Sequence, residues 1–133
     1  VTLPVDAVMN SNRRIDAHPR VRPVKSRRIR DRFAAVARGT DQIPSPVEVV
    51  VQLTFGRRGR RDSPNWYPTI KAAIDGLVDA GALGDDSDEH IHQTRFNAHD
   101  VDPVLRAPGT AGVRVAITVT EVAPASIPEG TRP

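Results

Sequence analysis

The chain has no cysteine among its 133 residues, which removes disulfides, thiol nucleophiles and cysteine-ligated zinc and fits a reducing compartment. Any metal must then sit on oxygen or imidazole. No apolar run approaches the roughly 20 residues of a membrane-spanning helix. The opening VTLPVDAVMN also lacks the basic-then-apolar order of a secretory signal, so a soluble, cytoplasmic protein with no membrane contact is expected. Large side chains are scarce, with one Trp, one Tyr, one Met and three Phe. At 38% hydrophobic residues, the length supports one compact domain with a modest core. No internal repeat is present.

What is abundant is charge, and it is unevenly placed. The net charge of +3 hides a basic half from Arg13 to Arg61, opposed only by Asp16, Asp31, Asp41 and Glu48. From Asp62 to Asp102 the balance inverts, with Asp62, Asp75, Asp79, Asp85, Asp86, Asp88, Glu89, Asp100 and Asp102 against Lys71 and Arg95. A one-signed basic segment attracts phosphate backbones by counterion release, and arginine grips phosphate oxygens with a planar fork. Arg13, Arg14, Lys25, Arg27 and Arg28 form one cluster, and Arg57, Arg58, Arg60 and Arg61 a second. Both are expected at a nucleic-acid surface, the plain alternative being a solvated arm. A membrane-surface role is disfavoured because the basic region has no bulky apolar face to insert.

Periodicity orders the chain. Val1 to about Val5 reads as a short strand, and Pro4, Pro19 and Pro23 discourage a helix before Val24. Ile29, Phe33, Val36 and Ala37 form a helical stripe within Ser26 to Arg38, stopped by Gly39. Val47, Val49, Val51, Leu53 and Phe55 alternate with more polar residues as a strand, which runs straight into the second arginine cluster, a loop. Ile70, Ala73, Ile74, Leu77 and Val78 then mark one face of a helix from about Pro68 to Ala80, with Ser63 or Asn65 as its cap and Gly81 as its stop. Lys71, Asp75 and Asp79 fall on its exposed flank as ordinary ion pairs. His90 to Phe96 is a shorter strand, Asn97 to Gly109 a loop, and Gly112 to Val122 a second clear strand.

The residues of the central block, RRD at Arg60 to Asp62, Asn65, PTIKAAIDGLVDAG from Pro68 to Gly81, and the pair Asp85 and Asp86, resemble the RusA family of Holliday junction resolvases. The opening LPVDAVMNSNRR, with Asn10 and Asn12, is similar to that family's amino-terminal motif. The likeness runs from Leu3 to about Val122. It implies a small α+β domain over residues 1–122, with a mixed sheet of three to four strands and two helices on it, residues 10–38 forming a basic DNA-binding arm and helix, and residues 123–133 a disordered tail. It also implies a homodimer, often encoded by phages or prophages, that binds branched DNA and nicks four-way junctions with Mg²⁺, Mn²⁺ being a possible substitute.

Carried over residue by residue, the resemblance gives Asp62, Lys71 and Asp86 catalytic roles. Metal ligation falls to Asp62, Asp86 and Asp85, and DNA contact to Asn10, Asn12 and Asn65 beside the basic residues above. One position departs: Pro64 stands where the family has a second Asp. Asp85, Asp88 and Glu89 are the candidates to replace that ligand. A catalytically weak or inactive junction-binding protein is therefore the alternative function, and an RNA-binding protein a third that fits the charge but not the acidic segment.

The chemistry of phosphodiester hydrolysis asks for the same parts, since a hard divalent ion prefers carboxylate and water. Distance complicates it. A helix from Pro68 to Ala80 is roughly 18 Å long, with Asp62 and Asp86 beyond its opposite ends. Residues 81–86 fully extended reach about 20 Å. Either that segment folds back along the helix, or Asp86 of one subunit completes the site of its partner. Asn65 binds phosphate, orients Asp62 or caps the helix. Trp66 and Tyr67 either stack on an unpaired base or act as a staple in the core. His90 and His92 share a strand face and are expected at the surface or toward DNA, and His18 and His99 are assigned nothing.

Overall fold

A computed structural model describes residues 1–87 and 89–122; Asp88 and the expected tail at residues 123–133 lie outside the described residues. The sheet is organised around β2 (Val47–Phe55), whose alternation puts Val47, Val49, Val51, Leu53 and Phe55 into the core, each at most 4% exposed. β5 (Val113–Glu121) runs antiparallel along one edge of β2, from Val47 opposite Glu121 to Thr54 opposite Arg114. On the far side of β5, β1 (Thr2–Leu3) adds an antiparallel pair. The other edge of β2 takes β3 (Ile91–Phe96) and then β4 (Asp100–Val101), both parallel to it.

The result is a mixed α+β sheet of five strands, where three to four were expected. The additional strand is β4, in the stretch expected as loop, and the same stretch holds a 3-10 turn at Pro103–Arg106. A two-residue strand is too short to show any periodicity. Between β2 and β3 the chain crosses by α2 (Tyr67–Asp79), as a parallel pair requires.

α1 (Arg22–Ala37) begins before the expected Ser26. Pro23, expected to discourage a helix, sits in its first turn, where a missing N–H costs nothing. A 3-10 turn at Arg14–Ala17 precedes it, in a stretch expected to hold no helix. Ile29, Phe33 and Ala37 are buried at four-residue spacing, while Val36, expected in that stripe, is 66% exposed. Gly39, at φ +84°, ends the segment, and Gly81, at φ +80°, does the same after α2.

Neither expected cap serves α2: Ser63 and Asn65 lie inside a 3-10 turn, Ser63–Trp66, that leads straight into the helix, and Trp66 holds the cap position without a side-chain bond. Ile70, Ala73 and Ile74 are buried against the sheet. The two helices meet at Gly76, where a Cβ would come within 2.3 Å of the Arg30 carbonyl oxygen. Asp79, expected to pair along its own helix, instead binds Arg30 across this contact, with Arg30 Nη2 donating at 2.6 Å. Behind α2, the buried Thr69 hydroxyl accepts from Met9 N and donates to Met9 O, both at 2.8 Å. That bond pair fixes the segment after β1. Among the described residues no helix is long and apolar enough to cross a membrane.

Candidate active site and nucleic-acid interface

After Gly81 the chain turns back along α2. Ala82 N donates to Leu77 O at 3.0 Å, and Ala82 and Leu83 are buried, so the next residues are carried toward the start of the helix. Asp86 thereby reaches Lys71, whose Nζ donates to the Asp86 carboxylate and, at 2.9 Å, to Asp75 Oδ1. Asp86 N in turn donates to Asp85 Oδ1 at 2.7 Å. Folding back within one chain is thus the route by which Asp86 meets the helix.

The hydrogen bond from Lys71 holds the Asp86 carboxyl below its ordinary value, outweighing desolvation. The same bond, with Asp75, pushes Lys71 up. Near neutral pH the cluster is a fixed ammonium between two carboxylates, so Lys71 is a positive point charge and no base.

A cavity of about 200 Å³ opens here between Tyr67, Lys71, Asp86 and the β3 residues His92, Gln93 and Thr94. His92 reaches its rim because the β2–β3 register slips: Ile91 faces Val47 and Gln93 faces Glu48, leaving His92 as the extra, bulged residue. His90 does not join it. It lies before the strand, 2.9 Å from the Ser87 hydroxyl through Nδ1. His92 is exposed, as expected, and what has no local signature is the cavity it borders, since neither the bulge nor the return of the 81–86 segment shows in the sequence.

Asp62 lines a different cavity, about 270 Å³, with Asn10, Asn12, Arg60, Arg61 and Asn65. Asn65 organises it. Its N–H donates to Asp62 O at 3.0 Å, and its carbonyl and side-chain oxygens accept from Ser11 N at 2.8 Å and Ser11 Oγ at 3.3 Å. Asn12 N donates to Asn10 Oδ1 at 2.8 Å, shaping the opposite wall. Pro64 is exposed in the turn between Asp62 and Asn65. Asp62 and Asp86 therefore line separate cavities, and among the described residues no three His, Asp or Glu side chains gather into a metal cluster. Magnesium needs fewer, commonly one or two protein carboxylates completed by water and phosphate. The donor set of Asp86, with Asp85 and Asp75 adjoining, is all hard oxygen and fits such an ion.

The basic residues divide by what they touch. Asp16, 4% exposed, accepts from Lys25 Nζ at 2.6 Å and from Asn10 N at 2.9 Å, and pairs with Arg13 Nε at 3.0 Å. Burial alone would raise its pKa, but Lys25, the Asn10 N–H and Arg13 together hold it below the ordinary value. Arg13 also donates to Val8 O at 2.9 Å. Lys25, Arg13 and the Asn10 backbone thus brace the arm from within. In the sequence Asp16 stands only as a charge opposed to the basic half, with no pattern that marks it as buried.

Arg27 lies 3.6 Å from Asp31, both exposed, and Arg14 and Arg28 are exposed without an ion pair among the described residues. A groove of about 250 Å³ between the helices is lined by Arg22, Arg27, Arg30, Lys71 and Asp75, so Lys71 borders both the basic groove and the carboxylate cavity. In the loop after β2, Arg57, Arg58 and Arg60 are exposed. The Arg61 guanidinium stands 4.0 Å over the Phe55 ring and donates to Arg57 O at 3.0 Å. Trp66 packs on Phe55 of β2 with ring centroids 5.3 Å apart, a contact with the core and not with the helix's own first turn, whereas Tyr67 is 46% exposed beside the Asp86 cavity. No protein-family model matches the chain, and a search of curated proteins finds no match.

Proposed function

We propose that this chain is a magnesium-dependent endonuclease that nicks four-way DNA junctions, working as a cytoplasmic homodimer in recombination and repair. The observation that supports this best is the return of residues 81–86 along α2, which sets Asp86 on Lys71, itself part of a groove bordered by Arg22 and Arg27. A DNA backbone drawn along those arginines arrives beside a cluster of carboxylates, the juxtaposition that phosphodiester hydrolysis requires. The resemblance to RusA resolvases gives Lys71 and Asp86 catalytic roles as well.

Asp86 would hold the ion, with Asp85 or Asp75 adjoining, and a bound Mg²⁺ or Mn²⁺ supplies Lewis-acid polarisation of the phosphoryl oxygens and a water of lowered pKa. Lys71, kept protonated by its two carboxylates, offers positive charge where phosphoryl charge builds up. Arg57, Arg58 and Arg60 hold backbone phosphates, and Asn10, Asn12 and Asn65 position the strand at Asp62. A junction needs two symmetric cuts, which suits two copies of the site. Asp62 from one protomer can then serve the Asp86 of its partner.

Replacing Asp86→Asn abolishes cutting of a synthetic four-way junction in Mg²⁺ and leaves binding intact; loss of binding instead would overturn the assigned role. Mixing Asp62→Asn with Asp86→Asn protomers restores cutting if sites are shared, and restores none if each chain works alone. Pro64, exposed beside Asp62 where the family carries a ligand, favours a second reading: a junction-binding protein without catalysis. Metal-dependent nicking by the unmodified chain separates the two.

A further inference from the structure

Trp66 and Arg61 line a second cavity besides that of Asp62, about 360 Å³ in volume, walled by Phe55, Leu105 and Val113. Those three are each 4% exposed, so the wall is part of the packed core. Its rim is cationic: Arg57, Arg61 and Arg106 border it, and none is ion-paired among the described residues. The rim is assembled by close packing. A Cβ on Gly56 would lie 2.8 Å from the Leu105 carbonyl carbon and 2.9 Å from Arg106 N, so only glycine lets the arginine loop lie against the Pro103–Arg106 turn. The turn itself is fixed by Asp102, which accepts from Val104 N at 3.1 Å and from Arg114 at 3.1 Å.

The volume falls in the range of small-ligand pockets, roughly 300–1,000 Å³. An uncharged apolar occupant would leave the Arg57 and Arg106 guanidinium groups unanswered, and a bare anion would leave the aromatic wall unused. A flat apolar ring carrying a phosphate answers both. The Arg61 guanidinium already stacks on Phe55, and bases stack on aromatic and arginine faces alike.

From this we infer that the cavity bounded by Trp66, Phe55, Leu105 and Arg106 seats one unstacked nucleobase of a DNA strand, with its phosphate on Arg57 and Arg106. Because Trp66 and Arg61 also border the Asp62 cavity, a base seated here fixes the strand beside that carboxylate. The inference deepens the nuclease proposal and rests on it for the identity of the strand.

Trp66 is the chain's single tryptophan, so its fluorescence reports on this wall. The unmodified chain is titrated with a short strand whose one base is a central 2-aminopurine, every flanking position being abasic, and with the same strand abasic throughout. Binding of the first quenches both fluorophores; the abasic strand binds roughly tenfold more weakly and leaves Trp66 unquenched. Ala111→Phe, an exposed residue at the mouth, fills the cavity and removes the difference between the strands. Should that variant not fold, Arg106→Gln at the exposed rim weakens binding of the 2-aminopurine strand while preserving the fold.

Equal binding of the two strands, or quenching that survives in the folded Ala111→Phe variant, overturns the inference. Junction nicking is measured alongside. Nicking with equal strand binding removes the base pocket and keeps the nuclease, and base-dependent quenching without nicking does the reverse.

Discussion

Arg13, Lys25 and Arg30 each end on a carboxylate that the fold supplies, Asp16 for the first two and Asp79 for the third. Arg57, Arg58, Arg60 and Arg61 end on none among the described residues. By composition the two regions are alike; by structure one is a brace and the other a display. The difference comes from what lies beneath. The arm covers a buried acid that must be compensated, because an uncompensated buried charge is far costlier than an exposed one. In the loop after β2, by contrast, Arg57, Arg58 and Arg60 are exposed and stay hydrated, while Arg61 lies over the Phe55 ring. A basic run in a sequence is thus a binding surface only after the cations that serve the fold have been subtracted.

The sharpest way to break the comparison is Asp16→Ala, which strands Lys25 and Arg13 and frees the Asn10 N–H. It should destabilise the protein by roughly 3 kcal/mol, read as a lower urea midpoint, whereas Arg58→Ala should stay within about 0.5 kcal/mol. A smaller effect is the pH dependence of the same group. The Asp16 pKa is depressed in the folded state, so its stabilisation is complete above the unfolded value of 3.8 and is lost as pH falls through the lower folded value. Unfolding of the native chain between about pH 5 and pH 2 should accordingly be steeper than that of Asp16→Asn. The gentlest test is Arg58→Gln. Stability should not move, while the slope of log K for junction DNA against log salt should fall by about 1. The same substitution at Lys25 should change stability more than it changes that slope.

The strong periodic elements were legible without coordinates. β2, β5 and α2 each bury the face that their spacing assigns, apart from the half-buried Leu77 and Val78 and the upper part of β5, because one apolar face per element leaves little choice of orientation. Pro23 misled because a proline that breaks a helix interior starts a helix equally well, and only tertiary position decides. β4 and the Pro103–Arg106 turn hold no repeating pattern, so nothing announced them. At the site, the return of residues 81–86 was foreseeable only as a matter of reach, as one of two ways to bring Asp86 to Asp62, and Asp86 stops at Lys71 in a cavity separate from that of Asp62. The bulge that moves His92 and the Gly56 contact that raises Arg106 to a rim depend on residues distant in sequence, and Asp16 meets partners that are near in sequence but show no periodic pattern.

The pairing of Thr2 with Arg114 carries a consequence in time. It closes a loop of most of the described chain, and contacts of such sequence separation form late, after closer ones have restricted the chain. β1 and the Met9 segment held by Thr69 therefore dock onto a sheet and helices that already exist. Asn10 and Asn12 arrive beside Asp62 in that same last event. The asparagine wall beside Asp62 is thus built on one of the most sequence-distant contacts of the described chain, and loosening β1 would loosen that wall while leaving the arginine loop after β2 in place.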